Sequence, residues 1–381
     1  MREAIYALSA DPITYGHIDI VNRALRVFDK VIVGIGNNVS KKYTFSIEER
    51  VALARKALNR INVEVVPFEG LLVDFAYSKN IRTIIRGVRN STDFAFEQIL
   101  HDINYGQRMG IDTFLIIADQ SLSHVSSSAV KELQAHSAKE ILEYVPMSVK
   151  QALEERMLKQ VRIGVTGEIG AGKSFLVEKY KQKFKDSYGP AWFSLVDADL
   201  DRIAKDILLN HEDPVCADVR REISSELSVS LENGKVNIQE LSKAVFSDEV
   251  LRCSYNDIML EPILYYLRRD YLSKRNSIVI ISGALLADAN GLHIVNNNVI
   301  LVTANKDVRR KRLKERNYGD DEIERRMNSQ LDADHKRSLI EGKIKECQHG
   351  SMLEIDNSGE INAGTLTGMN VWIENIHSYA F

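Results

Sequence analysis

Residues 167–174 read Gly-Glu-Ile-Gly-Ala-Gly-Lys-Ser, the spacing G-x-x-x-x-G-K-S. An apolar run at 161–166 precedes them and suits a strand, and a helical pattern follows. A glycine-rich turn in that setting leaves backbone N–H groups free to wrap phosphate oxygens. Its lysine reaches the β- and γ-phosphates, and its hydroxyl binds Mg²⁺. Gly167, Gly170, Ala171, Gly172, Lys173, Ser174 and Phe175 are therefore candidate ATP contacts. Lys173 is also a candidate catalytic cation, and Ser174 is the candidate metal ligand. A strand that hands such a turn to a helix commits the second half to an α/β fold.

The chain has 381 residues, more than one ordinary domain. Hydrophobic residues make up 44% and charged residues 27%, so there is enough apolar surface to bury and disorder is excluded as the main state. No apolar run is long enough to cross a bilayer, and the N-terminal run is too short for a signal peptide. Up to Leu158 there are 19 basic and 19 acidic residues; after it there are 31 and 34. Neither half has the basic excess of a nucleic-acid binder, so no nucleic acid and no membrane are expected. Cys216, Cys253 and Cys347 are few, odd in number and widely spaced. They suggest neither a disulfide framework nor a zinc site, and a reducing cytoplasm follows.

The first half alternates strand and helix five times. Apolar runs at 4–8, 30–36, 63–68, 82–85 and 114–118 read as strands. Helical patterns begin near Ile18, at the capping box Ser46-Ile47-Glu48-Glu49, at Leu71, at Thr92 (running to Met109) and at the triplet Ser126-Ser127-Ser128. That order predicts a parallel sheet with helices on both faces and ligands beyond the carboxyl ends of the strands. The polar residues fall at those ends. Ser9, Thr14 and His17 follow strand one, Lys41 and Lys42 strand two, and Arg86 and Arg89 strand four. The serines follow strand five, at a helix N-terminus suited to an anion. Each alone has a bland reading: a cap, a solvated lysine, a surface ion pair. Together at one sheet edge they suit transfer of a phosphate-bearing group.

Thr14-Tyr15-Gly16-His17 resembles the T/H-x-G-H signature of the nucleotidyltransferase superfamily, and Ser126-Ser127-Ser128-Ala129-Val130-Lys131 resembles its second signature. Residues Asp11-Pro12-Ile13, Ser40-Lys41-Lys42, Glu48-Glu49-Arg50, Arg86-Gly87-Val88-Arg89 and Asp93-Phe94 narrow the resemblance to phosphopantetheine adenylyltransferase. The resemblance spans residues 1–158. It implies transfer of AMP from ATP to 4′-phosphopantetheine with release of pyrophosphate and no covalent intermediate. It also implies that His17 stabilises charge on the phosphates with Arg89 and Ser127 beside it. Thr14, Gly16, Gly87, Glu97, Ser126 and Ser128 would contact the nucleotide. Ser9, Lys41, Leu72 and Arg86 would contact the acceptor, with Ser9 and Lys41 also catalytic. Two departures stand out: Leu8-Ser9-Ala10 replaces the family's Gly-Thr-Phe, and Ala135 stands where an arginine is common.

In the second half, Leu195-Val196-Asp197-Ala198-Asp199 ends a strand with two carboxylates. Asp199 can cap the next helix, and Asp197 can accept or orient the proton of an acceptor hydroxyl. Residues 214–273 read as mostly helical, and strands resume at 277–281 and 299–302. The basic stretch Lys306, Arg309, Arg310, Lys311, Arg312, Lys314, Arg316 precedes a helical pattern at 320–330. It reads as a solvated face or as a lid whose Arg312 and Arg316 cover phosphates. This half is similar to dephospho-CoA kinase on its phosphate loop, Asp197-Ala198-Asp199, Leu285-Leu286, the basic stretch and Ile355-Asp356-Asn357-Ser358-Gly359. That resemblance implies phosphorylation of the ribose 3′-hydroxyl of dephospho-CoA, with Asp197 and Asp199 on the acceptor. Glu261-Pro262 in place of His-Pro, Ala284 in place of proline and Asp288 near an expected glutamate depart from it.

The expected organisation is two α/β domains, a nucleotidyltransferase-type parallel sheet over 1–158 and a P-loop kinase domain with helical insertion and lid over 159–381. The order matches bifunctional coenzyme A synthases. ATP, Mg²⁺, 4′-phosphopantetheine, dephospho-CoA and CoA are the implied small molecules. A homo-oligomer is a further expectation, since hexamers are usual in the first family. One rival reading keeps only the kinase, with the Leu8-Ser9-Ala10 loop leaving the first half as a CoA-binding or regulatory module.

Overall fold

Alternation of apolar side chains along short strands shapes both halves. The computed structural model describes all residues except 39–40, 137–138, 189–193, 284–285, 287–290, 329 and 378–381. The chain divides into two units, Met1–Met157 and Leu158–Phe381. Ser40, Ala284, Leu285 and Asp288 lie outside the described residues.

The first unit runs β1 (Glu3–Leu8), α1 (Tyr15–Ala24), β2 (Lys30–Ile35), α2 (Ile47–Ala57), β3 (Val63–Pro67), α3 (Leu72–Ser78), β4 (Thr83–Val88), α4 (Ser91–Gly106), β5 (Asp112–Ile117), α5 (Ser127–Ala135) and α6 (Met147–Leu153). The sheet is parallel in the order β3-β2-β1-β4-β5. Ile5, Ala7, Ile32 and Ile84 of the sheet cluster with Val73 and Ala76 of α3. Alternate residues point to the other face, where α1 buries Ile20, Val21 and Ala24. Gly87 permits that approach: a Cβ there would lie 2.8 Å from Ile20 Cγ1.

Two boundaries differ from the expectation. Strand four does not stop at Ile85. Arg86, Gly87 and Val88 keep pairing with Leu115, Ile116 and Ile117, so Arg86 projects from the strand itself. The helix expected from Thr92 to Met109 ends at Gly106.

The second unit has β6 (Gln160–Gly167), α7 (Lys173–Tyr188), β7 (Ser194–Asp199), α8 (Leu200–Leu209), α9 (Pro214–Leu227), β8 (Leu231–Glu232), β9 (Lys235–Val236), α10 (Ile238–Ser247), α11 (Glu249–Tyr266), β10 (Ser277–Ser282), β11 (Asn298–Thr303), α12 (Lys306–Glu315), α13 (Asp320–Asn328), α14 (Ala333–Cys347), β12 (Ser351–Asp356) and α15 (Ala363–Ile376). Its sheet is parallel in the order β12-β11-β6-β10-β7. The period of two is visible in the packing. Ile278, Ile280, Ile300 and Val302 join Leu176 and Tyr180 of α7 and Met369 of α15. Their neighbours Val279, Ile281, Val299 and Leu301 join Ile207 of α8 and Ile223 and Ile263 of the helical insertion. The insertion is not wholly helical. Asn233 and Gly234, both with positive φ, turn the small antiparallel hairpin β8–β9.

The segment between α6 and β6 is not one continuous helix. After α6 the turn widens over Glu154–Leu158, and Lys159 takes a left-handed conformation (φ 51°) before β6 begins. No helix among the described residues is long and apolar enough to cross a membrane.

Candidate functional sites

A cavity of about 880 Å³ opens at the carboxyl end of the first sheet. Ser9, Thr14, Gly16, His17, Lys41, Leu72, Arg86, Gly87, Arg89, Glu97, Ser126, Ser127 and Ser128 all line it. The structure thus brings together every site residue expected in the first half.

His17 sits in the first turn of α1, with Thr14 as its N-cap. The Thr14 backbone N–H donates to His17 Nδ1 at 3.0 Å, and Thr14 Oγ1 lies 3.0 Å from the same nitrogen. A ring whose Nδ1 accepts carries its proton on Nε2. Burial first, then the charges of Arg89 and Lys41, lower the pKa of His17 to about 4. The ring is therefore neutral at pH 7 and donates from Nε2, next to a helix N-terminus that also favours anions.

The unfolded chain protonates His17 near the ordinary value of 6.5, and the folded chain does so only near 4. The stability from burying the neutral ring is complete above 6.5 and is lost as pH falls toward 4. The kcat/KM of any reaction using His17 as a neutral donor should show no titration of this ring near 6.5, and its limb should lie near 4. A pH–rate profile checks this.

The other side chains are held by short networks. Arg89 donates from Nε to Asp93 Oδ2 (3.0 Å) and from Nη1 to the Val125 carbonyl (3.1 Å). Ser126 caps α5 by accepting the Ala129 N–H, and Ser127 Oγ donates to the Pro12 carbonyl at 2.8 Å. The N–H groups of Ser127 and Ser128, in the first turn of α5, have no partner within that helix. Arg86 grips Glu97 with two bonds, Nε to Oε2 at 2.5 Å and Nη2 to Oε1 at 2.6 Å, and Nη1 donates to the Ala7 carbonyl at 2.9 Å. The two were expected on different substrates, and here they pair with each other. Tyr6 beside them is buried, which pushes its phenol well above the ordinary range.

In the second unit the turn between β6 and α7 is cramped. A Cβ at Gly172 would lie 2.1 Å from Asn357 Nδ2, and its φ is +93°, so glycine is required there. Lys173 Nζ donates to the carbonyls of Gly167 (2.8 Å) and Glu168 (3.2 Å). Ser174 is exposed at the start of α7, and Phe175 beside it is half exposed. Asp197 is held by Lys181 Nζ at 3.2 Å. Asp199 caps α8 by accepting the N–H groups of Asp201 and Arg202. Arg312 donates to the carbonyls of Gly170 (3.3 Å), Ala171 (3.2 Å) and Asn357 (2.7 Å), while Arg316 is exposed at the end of α12. The exposed Ser174 hydroxyl is a hard oxygen donor, of the kind Mg²⁺ takes.

The family model described as cytidylyltransferase-like matches residues 6–133. The phosphopantetheine adenylyltransferase of Clostridium perfringens strain SM101 is 42% identical over 159 residues, covering 96% of that protein and 42% of this chain. The chain belongs to the phosphopantetheine adenylyltransferase family. The Petrotoga mobilis and Leuconostoc citreum proteins of that name are 37% and 40% identical and are covered over 99% of their lengths, again by about two-fifths of this chain. Residues 161–347 match the family model described as dephospho-CoA kinase.

Within the adenylyltransferase-family unit, two residues quoted above only as motif members, with no role assigned, are positioning residues. Asp11, 5% exposed, accepts the N–H groups of Thr44 and Phe45 at 3.0 Å and Lys131 Nζ at 2.8 Å. It ties the two signature segments together. Arg50, 1% exposed, donates to the carbonyls of Ser9 (2.6 Å) and Gly36 (3.0 Å) and to Asn37 Oδ1, under the Tyr43 ring. It fixes the Leu8-Ser9-Ala10 loop against the end of β2. A signal was present: Arg50 lies on the buried stripe of α2 with Val51, Leu53 and Ala54. In the second unit Arg309 and Asn357, quoted above only as members of sequence stretches, and Gln330, given no role there, all hold the phosphate loop from outside it.

Proposed function

We propose that this chain makes CoA from 4′-phosphopantetheine in two ATP-dependent reactions, the last two steps of coenzyme A biosynthesis. Residues 1–158 form the adenylyltransferase domain and residues 159–381 the kinase domain. One observation carries the reading: the two halves match families whose reactions are consecutive, the product of the first being the acceptor of the second.

In the first reaction an oxygen of the acceptor phosphate attacks the α-phosphorus of ATP, and pyrophosphate leaves. His17 donates from Nε2 to the phosphate oxygens as charge builds there, together with Arg89 and the free amides of α5. Ser9, Lys41, Leu72 and Arg86 hold the acceptor. Thr14, Gly16, Gly87, Glu97, Ser126, Ser127 and Ser128 surround the nucleotide. In the second reaction the ribose 3′-hydroxyl attacks the γ-phosphorus and ADP leaves. Asp197 accepts or orients the hydroxyl proton, Asp199 shapes the acceptor side by fixing the start of α8, and Lys173 holds the β- and γ-phosphates. Gly167, Gly170, Ala171 and Gly172 shape the loop, Phe175 flanks it, and Arg312 and Arg316 cover it. Ser174 would hold Mg²⁺, which would supply positive charge to the phosphates when bound. The near-balanced charge of both halves supports small-molecule partners, not nucleic acid, and the few, widely spaced cysteines support a cytoplasmic enzyme.

Position of label tests both steps. With 4′-phosphopantetheine, label from the α-phosphate of ATP enters dephospho-CoA. With dephospho-CoA, label from the γ-phosphate enters CoA. Transfer of γ-label alone would instead favour the kinase-only reading. In that case Leu8→Gly, Ser9→Thr, Ala10→Phe should restore α-label transfer.

A homo-oligomer is part of the proposal. The edge strand β5 exposes Phe114, Leu115 and Ile117, and α4 exposes Phe96, Ile99, Ile103 and Tyr105. An apolar, unpaired strand edge is a template for association, here with a second copy of this chain. Sedimentation should show an oligomer that Ile117→Lys shifts to smaller species. A monomer at all concentrations would contradict this.

A further inference from the structure

Glu168 is a carboxylate within a loop that receives polyphosphate, where an unpaired negative charge repels its ligand. Its side chain is 11% exposed, and Oε1 accepts Arg309 Nη1 at 2.5 Å; the Arg309 side chain is 7% exposed. The same guanidinium donates from Nε to the Ile169 carbonyl at 2.9 Å. The Ile169 N–H is accepted by Gln330 Oε1 at 2.9 Å. One turn further along α12, Arg312 donates to the Gly170 and Ala171 carbonyls, and Asn357 Nδ2 donates to the Ala171 carbonyl at 2.7 Å. Every residue from Glu168 to Ala171 is thus held from behind by side chains outside the loop. Only at Glu168 does the bond join two charges.

We propose that Arg309 is a positioning residue for phosphoryl transfer: it neutralises Glu168 and turns that carboxylate away from the ATP phosphates, so that an acidic residue is tolerated in the phosphate loop. The inference rests on the kinase reading of this half. It predicts opposite signs for the two partners. Removing Arg309 frees a carboxylate next to the phosphates and weakens ATP binding. Removing the Glu168 charge leaves a cation beside the phosphates and does not.

The test uses the full chain and four variants: Arg309→Gln, Arg309→Lys, Glu168→Gln, and the double variant Glu168→Gln with Arg309→Gln. Two readouts are taken, KM against kcat for ATP in dephospho-CoA phosphorylation and Kd for a fluorescent ATP analogue. Arg309→Gln should raise KM and Kd at least about tenfold, with kcat changed less, because a charge is left unpaired. Glu168→Gln should bind nucleotide at least as tightly as the parent. The double variant should recover most of the loss, and Arg309→Lys should fall between. A purely structural brace would weaken binding in both single variants, with no recovery in the double one. That result, or an unchanged Kd in Arg309→Gln, would overturn the proposal. Should Arg309→Gln fail to fold, the sign of the Glu168→Gln effect still decides. Should the parent chain not phosphorylate dephospho-CoA, the kinase reading fails, while the Kd values still report on the pair.

Discussion

Replacing His17 with alanine is expected to lower kcat for adenylyl transfer by about 10²- to 10³-fold, the usual cost of losing one donor to a developing oxyanion. The rate of dephospho-CoA phosphorylation by the same polypeptide should not change. Nδ1 is occupied by the Thr14 N–H, and burial with two nearby cations keeps the ring neutral. His17 therefore offers a hydrogen bond and no proton. A donor that matters most in the transition state affects kcat more than KM for ATP. His17→Asn, which keeps an N–H donor on a shorter side chain, should retain more activity than His17→Ala. Equal loss in the two variants, or a loss confined to KM, would show that His17 acts by another route. Steady-state kinetics of pyrophosphate release decide.

The complementary variant is Lys173→Ala. Its expected effect is about 10³-fold on phosphoryl transfer, at the upper end for removing a cation aimed at transferring phosphate. The ammonium already lies over the loop, on the Gly167 and Glu168 carbonyls, so little reorganisation is needed to meet a phosphate. Given 4′-phosphopantetheine and ATP, the Lys173→Ala chain should accumulate dephospho-CoA instead of CoA. Mass analysis of the product mixture checks this. Unchanged CoA output would place the phosphate-binding cation elsewhere.

Much of this architecture is written locally in the chain. The strands are short apolar runs, and their alternation with helices left only a parallel sheet to build. The Ser46 capping box forms as its residues imply, with Ser46 Oγ accepting the Glu49 N–H and Glu49 Oε2 accepting the Ser46 N–H. The site in the first unit was legible because its residues follow strand ends, which one sheet brings to one edge. What was not legible depends on distant partners. Asp11 meets Lys131 across 120 positions, and Asn357 meets Ala171 across 186. No local pattern announces such pairs. The basic stretch shows the same limit. Its composition fits either a solvated face or a lid, and only packing reveals that Arg309 is buried while Lys306 and Lys311 are exposed. Strand four was read short because Arg86 and Gly87 look like a turn. Pairing with β5 overrides that local preference.

The most direct measurement is a single reaction containing the pure chain, Mg²⁺-ATP and 4′-phosphopantetheine, followed by mass. A parallel reaction receives dephospho-CoA. The expected result is CoA in both. CoA from dephospho-CoA alone would contradict the two-reaction reading and leave a kinase joined to a first unit that has lost or changed its reaction.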